Sequence, residues 1–222
     1  MPKIDAPEKL FFSLLGKEMT EEELIDIFPV AKAELDDHDV ENKVIKIELN
    51  DTNRPDLWSP AGVARALSTY ESGEIPYYDF FSTKDESKDN EGRVIIDDES
   101  AIGIRDFSIG FACRGVEVDD DMLKNLIQSQ EKLCFNFGRK RKTIAMGIYR
   151  SNLINYPVHY AAVDPDKTKF VPLGMDEELS LREICQKHPK GKEYGYIVSS
   201  YDKFPYLYDD KGETLSFPPV IN

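Results

Sequence analysis

The stretch Val44–Leu67, VIKIELNDTNRPDLWSPAGVARAL, reads in turn as strand, loop and helix. Ile45, Ile47 and Leu49 alternate with Lys46 and Glu48, the period of a half-buried strand. Asn50–Asp56 is a polar loop in which Arg54 can brace against Asp56 as an ion pair. Ser59-Pro60 then starts a helix, with Ser as N-cap and Pro at the first helical position. Val63, Leu67 and Tyr70 are expected to face inward. A strand with one apolar face, followed directly by a helix that can cover it, sets an α+β class.

Upstream, Thr20-Glu21-Glu22-Glu23 is a capping box, with Leu24, Ile27 and Phe28 at helical spacing and Pro29 as the stop. Downstream, residues 82–92 (STKDESKDNEG) hold no large apolar side chain and read as a linker. The expected organisation is a small α+β module over 1–81, the linker 82–92, and a mixed, strand-rich domain over 93–222.

That second segment opens with a short strand, Val94–Ile96. Phe107, Ile109, Phe111 and Cys113 alternate with Ser108, Gly110, Ala112 and Arg114, which predicts another strand. Asp119–Asp121 caps a helix carrying Leu123, Leu126, Ile127, Leu133, Cys134 and Phe137 on one face, with Gly138 as its C-cap. A strand is expected over Thr143–Tyr149. A capping box at Ser180-Leu181-Arg182-Glu183 opens a short helix ending near Pro189. The last element is a hairpin, Tyr206–Asp209 and Glu213–Phe217 around Asp210-Lys211-Gly212. A two-residue Lys211-Gly212 loop puts Leu207 opposite Ser216; a three-residue loop with a glycine bulge shifts the register by one.

The 222 residues are 41% hydrophobic and carry a net charge of −14, which excludes a general nucleic-acid binder. The charge is uneven. Met122–Arg150 holds seven bases and one acid, a window of +6, including the run Arg139-Lys140-Arg141-Lys142. Such a run is either a solvated helix end whose bases suit the C-terminal dipole or a phosphate contact on an otherwise repulsive surface. No apolar run approaches a membrane span or a signal peptide. Three cysteines at long spacings indicate neither a zinc site nor a disulfide framework, and the compartment reads as reducing cytosol. His38, His159 and His188 lie far apart, and HExxH, Walker, GxGxxG and GxSxG motifs are absent.

Five stretches occurring in order carry a resemblance: KIELNDTNRPDLWSPAGVARAL (Lys46–Leu67), IQSQEKLCFNFGRKRKTIAMGIY (Ile127–Tyr149), KFVPLGMDEELSLREI (Lys169–Ile184), HPKGKEYGY (His188–Tyr196) and LSFPPVIN (Leu215–Asn222). Together they resemble the N-terminal part of the phenylalanyl-tRNA synthetase β subunit, archaeal/eukaryotic type. The resemblance implies a catalytic α subunit as partner in an α2β2 tetramer, tRNA(Phe) as substrate, and a cytoplasmic location. It implies that the aminoacylation site is on α and that the second segment is an editing domain hydrolysing Tyr-tRNA(Phe). ATP and Mg belong to the assembled ligase; this chain is expected to hold no cofactor or metal of its own and to meet neither membrane nor DNA. The family's editing motif continues past Asn222 with Ser-Glu-x-Thr-Gly, and a later strand bearing an Asp and a Thr of the site lies beyond it, so only part of an editing pocket is expected here.

Of the family's site residues, Leu207 and Ser216 match positions in this chain. Leu207 would pack on the substrate ring and Ser216 would meet its hydroxyl, and backbone groups from Ser216 to Asn222 would assist direct attack by water. Arg139, Lys140, Arg141 and Lys142 would contact tRNA phosphates. No Ser-His-Asp order or Cys-His pair points to a covalent intermediate. Each residue also has a plainer reading: Leu207 as core, Ser216 as a strand end, Pro218-Pro219 as a strand stop. The alternative function is a docking and tRNA-guiding module without activity of its own.

Overall fold

The alternation over Val44–Leu49 becomes the central strand of the first sheet. The computed structural model describes residues 3–50, 53–78 and 92–221, and the chain divides into two compact units, residues 1–82 with 115–140 and residues 83–114 with 141–222. The expected linker 82–92 lies, apart from Gly92, outside the described residues.

In the first unit, strands β1 (Lys3–Pro7), β2 (Ala33–Asp39) and β3 (Val44–Leu49) form an antiparallel sheet in the order β1-β3-β2. Ile45, Ile47 and Leu49 are buried, as their period requires. Helices α1 (Glu8–Leu15), α2 (Glu21–Ile27) and α3 (Pro60–Ser72) supply Phe11, Leu24, Val63 and Leu67 to the same core. The Thr20/Glu23 capping box forms in full. Ser59 accepts from the Gly62 amide at 3.1 Å, and Arg54 grips Asp56 through two bonds of 2.9 and 2.7 Å. Tyr70, expected inside, is 66% exposed. The core face of α3 is spent on Pro60, Gly62, Val63, Ala64 and Leu67.

Helix α4 (Asp120–Lys132) corrects the expected domain boundary, because it packs with the first unit rather than with the segment that precedes it. Gln128 explains the attachment. Its Oε1 accepts from the Asp5 amide at 2.7 Å, and its Nε2 donates to the Asp5 carbonyl at 2.8 Å. One side-chain amide thus supplies what a neighbouring strand would give the open edge of β1. The helix turns accordingly: Asn125 is buried, while Leu123, Ile127 and Phe137, predicted inward, are exposed. Leu133 and Cys134 do turn inward. Gly138 is not the left-handed cap (φ −73°); Arg139, Lys140 and Arg141 take positive φ of 50°, 57° and 66° instead. Three consecutive side-chain-bearing residues in that region store strain, on the order of 1–2 kcal/mol each.

The second unit is built on a mixed sheet in the order β4-β5-β8-β9: β4 (Ile95–Asp97), β5 (Val158–Val163), β8 (Phe204–Asp209) and β9 (Thr214–Ser216). β4 runs parallel to β5, and the other pairs are antiparallel. The short pair β6 (Lys169–Phe170) and β7 (Leu179–Ser180) leads into α5 (Leu181–Lys187), opened by the Ser180/Glu183 box, and then α6 (Pro189–Tyr194). Leu179, Leu181, Ile184, Val198, Phe204, Phe217 and Val220 form its core. This is an α+β fold.

Two predicted strands do not form. Residues 107–114 and 143–149 belong to no ladder. Phe107, Ile109 and Phe111 are 86%, 97% and 90% exposed. Ser108 is tied by its amide and hydroxyl to the Asp97 carboxylate, and Gly110 lies against Ile95. A period of two marks a face but brings no partner strand, and none is present among the described residues.

Candidate hairpin site

The terminal hairpin begins at a buried carboxylate. Asp209 accepts from the Asn155 side chain at 2.6 Å and from the amides of Asn155, Lys211 and Glu213 at 3.1, 2.9 and 2.9 Å. The Asn155 side-chain bond leads the causes that hold its pKa down to about 2. The Asp209 amide donates to the Glu213 carbonyl and Gly212 sits at φ +83°, so the loop has three residues, Asp210 to Gly212. Tyr208 pairs with Thr214, Leu215 is then bulged out, and Leu207 returns to register opposite Ser216. The loop follows the three-residue expectation, and the bulge restores the pairing expected of a two-residue one.

A depressed pKa stabilises the fold above the ordinary carboxylate range, near pH 4, and that stabilisation fades as pH falls through about 2. Glu183, also held to about 2 by the Ser180 amide, titrates in the same window. Asp209→Asn is therefore expected to lower stability at neutral pH and to flatten, without abolishing, the loss between pH 4 and 2. Circular dichroism against pH for both proteins measures this.

Past Ser216 the chain folds into a tight turn. The Phe217 amide donates to the Ile221 carbonyl at 2.8 Å, and the Val220 and Ile221 amides donate to the Phe217 carbonyl at 2.8 and 3.0 Å. Pro218-Pro219 is a cis bond, and neither residue has an N–H. The amides of Phe217, Val220 and Ile221, expected to face a reacting ester, are therefore engaged inside the turn. Ser216 is 3% exposed, and its hydroxyl donates to the Ile221 carbonyl at 3.0 Å. Leu207 beside it is half-buried. Asn222 lies outside the described residues.

The basic run is divided between the units. Arg139 and Lys140 belong to the first, where Lys140 Nζ stands 5.3 Å from the Phe135 ring centre. Arg141 and Lys142 belong to the second. Arg141 donates to the carbonyls of Pro219 and Val220, both at 3.2 Å, and its guanidinium lies 4.3 Å from the Tyr194 ring centre. Arg105 donates to the carbonyls of Arg141 and Lys142 at 3.2 and 3.1 Å. Lys142 stands 5.5 Å from Tyr196, and Lys190 5.5 Å from Tyr194. Arg141 is thus a brace for the turn beside Ser216 as well as a surface charge.

Tyr149 is a site neighbour that the sequence reading missed. Its phenol lies against the Ser216 hydroxyl, and burial raises its pKa. It was read only as the last residue of a strand, and nothing in its spacing marks a contact with a residue 67 positions away. Among the described residues no helix is long and apolar enough to cross a membrane.

No protein-family profile matches the chain. Curated relatives do. The chain is 51% identical over all 222 residues to the phenylalanine–tRNA ligase β subunit of Borreliella burgdorferi strain ZS7 and 47% identical to that of Borrelia turicatae strain 91E135, covering 39% of each. It therefore spans about two fifths of the length of these relatives. A solved N-terminal fragment of the phenylalanyl-tRNA synthetase β subunit from Pyrococcus horikoshii superimposes with a TM-score of 0.86 at 37% identity, covering all of this chain and 62% of that one. Fold and hairpin are those of a region of an aminoacyl-tRNA synthetase subunit. Specifically, the chain belongs to the phenylalanine–tRNA ligase β-subunit family and corresponds to the N-terminal region.

Proposed function

We propose that this region serves phenylalanine–tRNA ligase as part of a β subunit paired with a catalytic α subunit in an α2β2 tetramer. In this reading it supports aminoacylation of tRNA(Phe) in the cytoplasm, and its hairpin contributes to hydrolytic editing of Tyr-tRNA(Phe). The observation that carries the reading is the bulged register that sets Leu207 opposite the buried Ser216. An apolar wall beside a hydroxyl suits a phenol ring and its oxygen, and a site that pairs the oxygen disfavours phenylalanine, which lacks it. The ester of an aminoacyl-tRNA is already activated, so a positioned water suffices for hydrolysis. With the turn amides engaged internally, the positive charge standing on the turn is that of Arg141.

Single-turnover release of tyrosine from Tyr-tRNA(Phe), with the chain in excess and Phe-tRNA(Phe) as control, tests the reading. Release above the spontaneous rate with Phe spared supports it. No release, with tRNA binding shown in the same tubes, favours the docking and tRNA-guiding module instead. Replacing Arg139, Lys140, Arg141 and Lys142 together with Ala is expected to weaken tRNA(Phe) binding and to flatten its salt dependence. Filter binding across a salt series measures both, and an unchanged slope refutes the phosphate role.

A further inference from the structure

Hydroxyl bookkeeping at the hairpin exposes a gap. A serine hydroxyl has one proton, and that of Ser216 is spent on the Ile221 carbonyl. Toward a ligand, Ser216 can only accept. A phenol that donates to Ser216 keeps an oxygen with free lone pairs, in a place closed to water by the burial of Ser216. An oxygen desolvated without a donor costs binding. The pocket therefore needs a second hydroxyl, one that donates.

Tyr149 stands where that donor is required. Its ring edge folds over Gly147 so closely that a Cβ built there would lie 2.2 Å from the phenol oxygen, and the hydroxyl end lies against Ser216. Gly147 has no positive φ; the missing side chain there serves space, not backbone freedom. The glycine makes room for this placement of the phenol.

We propose that Tyr149 is a specificity-determining residue for the tyrosyl side chain, completing a hydroxyl relay with Ser216. With substrate bound, the Tyr149 hydroxyl donates to the substrate phenol, the phenol donates to Ser216 Oγ, and Ser216 donates to the Ile221 carbonyl. Each oxygen gives one proton and takes one, so the chain closes at the carbonyl. A phenylalanyl ester has no hydroxyl to insert and leaves the Tyr149–Ser216 contact either unbroken or broken without replacement. The inference rests on the hairpin being a tyrosine-ester pocket.

The test uses the assembled ligase, with hydrolysis of Tyr-tRNA(Phe) and Phe-tRNA(Phe) measured for wild type, Tyr149→Phe, Gly147→Ala and Ser216→Ala. Tyr149→Phe keeps the ring and removes the donor. Gly147→Ala keeps the donor and pushes it away, at little cost to the fold because the opposing atom ends a flexible side chain. Both are expected to lower the Tyr/Phe ratio of kcat/KM by about tenfold or more, as an unmatched buried oxygen implies, with hydrolysis of the Phe ester unchanged. If Ser216→Ala lowers the ratio and Tyr149→Phe does not, the relay is wrong and the pocket stands. If neither changes the ratio, the pocket itself is misplaced and the relay falls with it. An equal loss on both esters in Tyr149→Phe marks a structural role and also overturns the proposal.

Discussion

Phe217→Ala is expected to destabilise the second unit by about 3–5 kcal/mol, the usual cost of emptying a buried aromatic site. Phe217 is fully buried, and its ring stacks on Phe204 at 5.7 Å between centres and 6° between planes. Its backbone also holds both ends of the turn to Ile221. Truncation thus removes the packing that seats the residues after Ser216. Against the 5–15 kcal/mol that holds a typical domain, that loss is severe. Two units need not unfold together, so a single midpoint would mislead. Hydrogen exchange at β8 and β9 reports the second unit directly. Unchanged protection there would show that the Phe204–Phe217 stack is not what holds the hairpin.

Gly62→Ala is the counterpart in the first unit. A Cβ at Gly62 would lie 1.8 Å from the Asp56 carbonyl oxygen and 2.9 Å from its carbon. Both are backbone atoms of a turn gripped by Arg54 and followed by buried Leu57 and Trp58, so neither side yields easily. Overpacking of this kind costs about 1–3 kcal/mol and occasionally more. Alanine's better helix propensity returns only about 1 kcal/mol. The clash runs into backbone rather than into a side-chain tip, so the upper end applies, for a net loss of about 2 kcal/mol or more. Trp58, the single tryptophan, is buried next to this contact, so its emission in urea reads the transition. A midpoint equal to wild type would mean that α3 shifts freely on the 55–57 turn.

What could be read in the chain was what short-range chemistry dictates. The alternation of Val44–Leu49, the Ser59-Pro60 start, the two capping boxes and the Arg54–Asp56 brace depend on residues within a few positions of one another, and all of them form. The pairing of Leu207 with Ser216 was legible from the turn residues, though the bulge at Leu215 was not. Contacts across long separations left no local trace. Gln128 reaches Asp5 across 123 positions with an amide that no periodicity singles out. Tyr149 meets Ser216 from a segment whose pattern spoke of a strand. Phe107, Ile109 and Phe111 show the limit from the other side, since their alternation is strong and no ladder answers it.

Gln128 also bears on how the protein is made. Neither unit is a continuous stretch: the first closes only with residues 115–140, after part of the second has already been synthesised. A nascent chain emerging from the ribosome carries β1 with Asp5 uncovered until α4 follows more than a hundred residues later. At about 5–20 residues per second, that leaves an open strand edge for several seconds or longer during each round of translation. Chaperone demand during synthesis should therefore concentrate on this interval, and shortening the delay by circular permutation, with α4 moved ahead of β1, would relieve it.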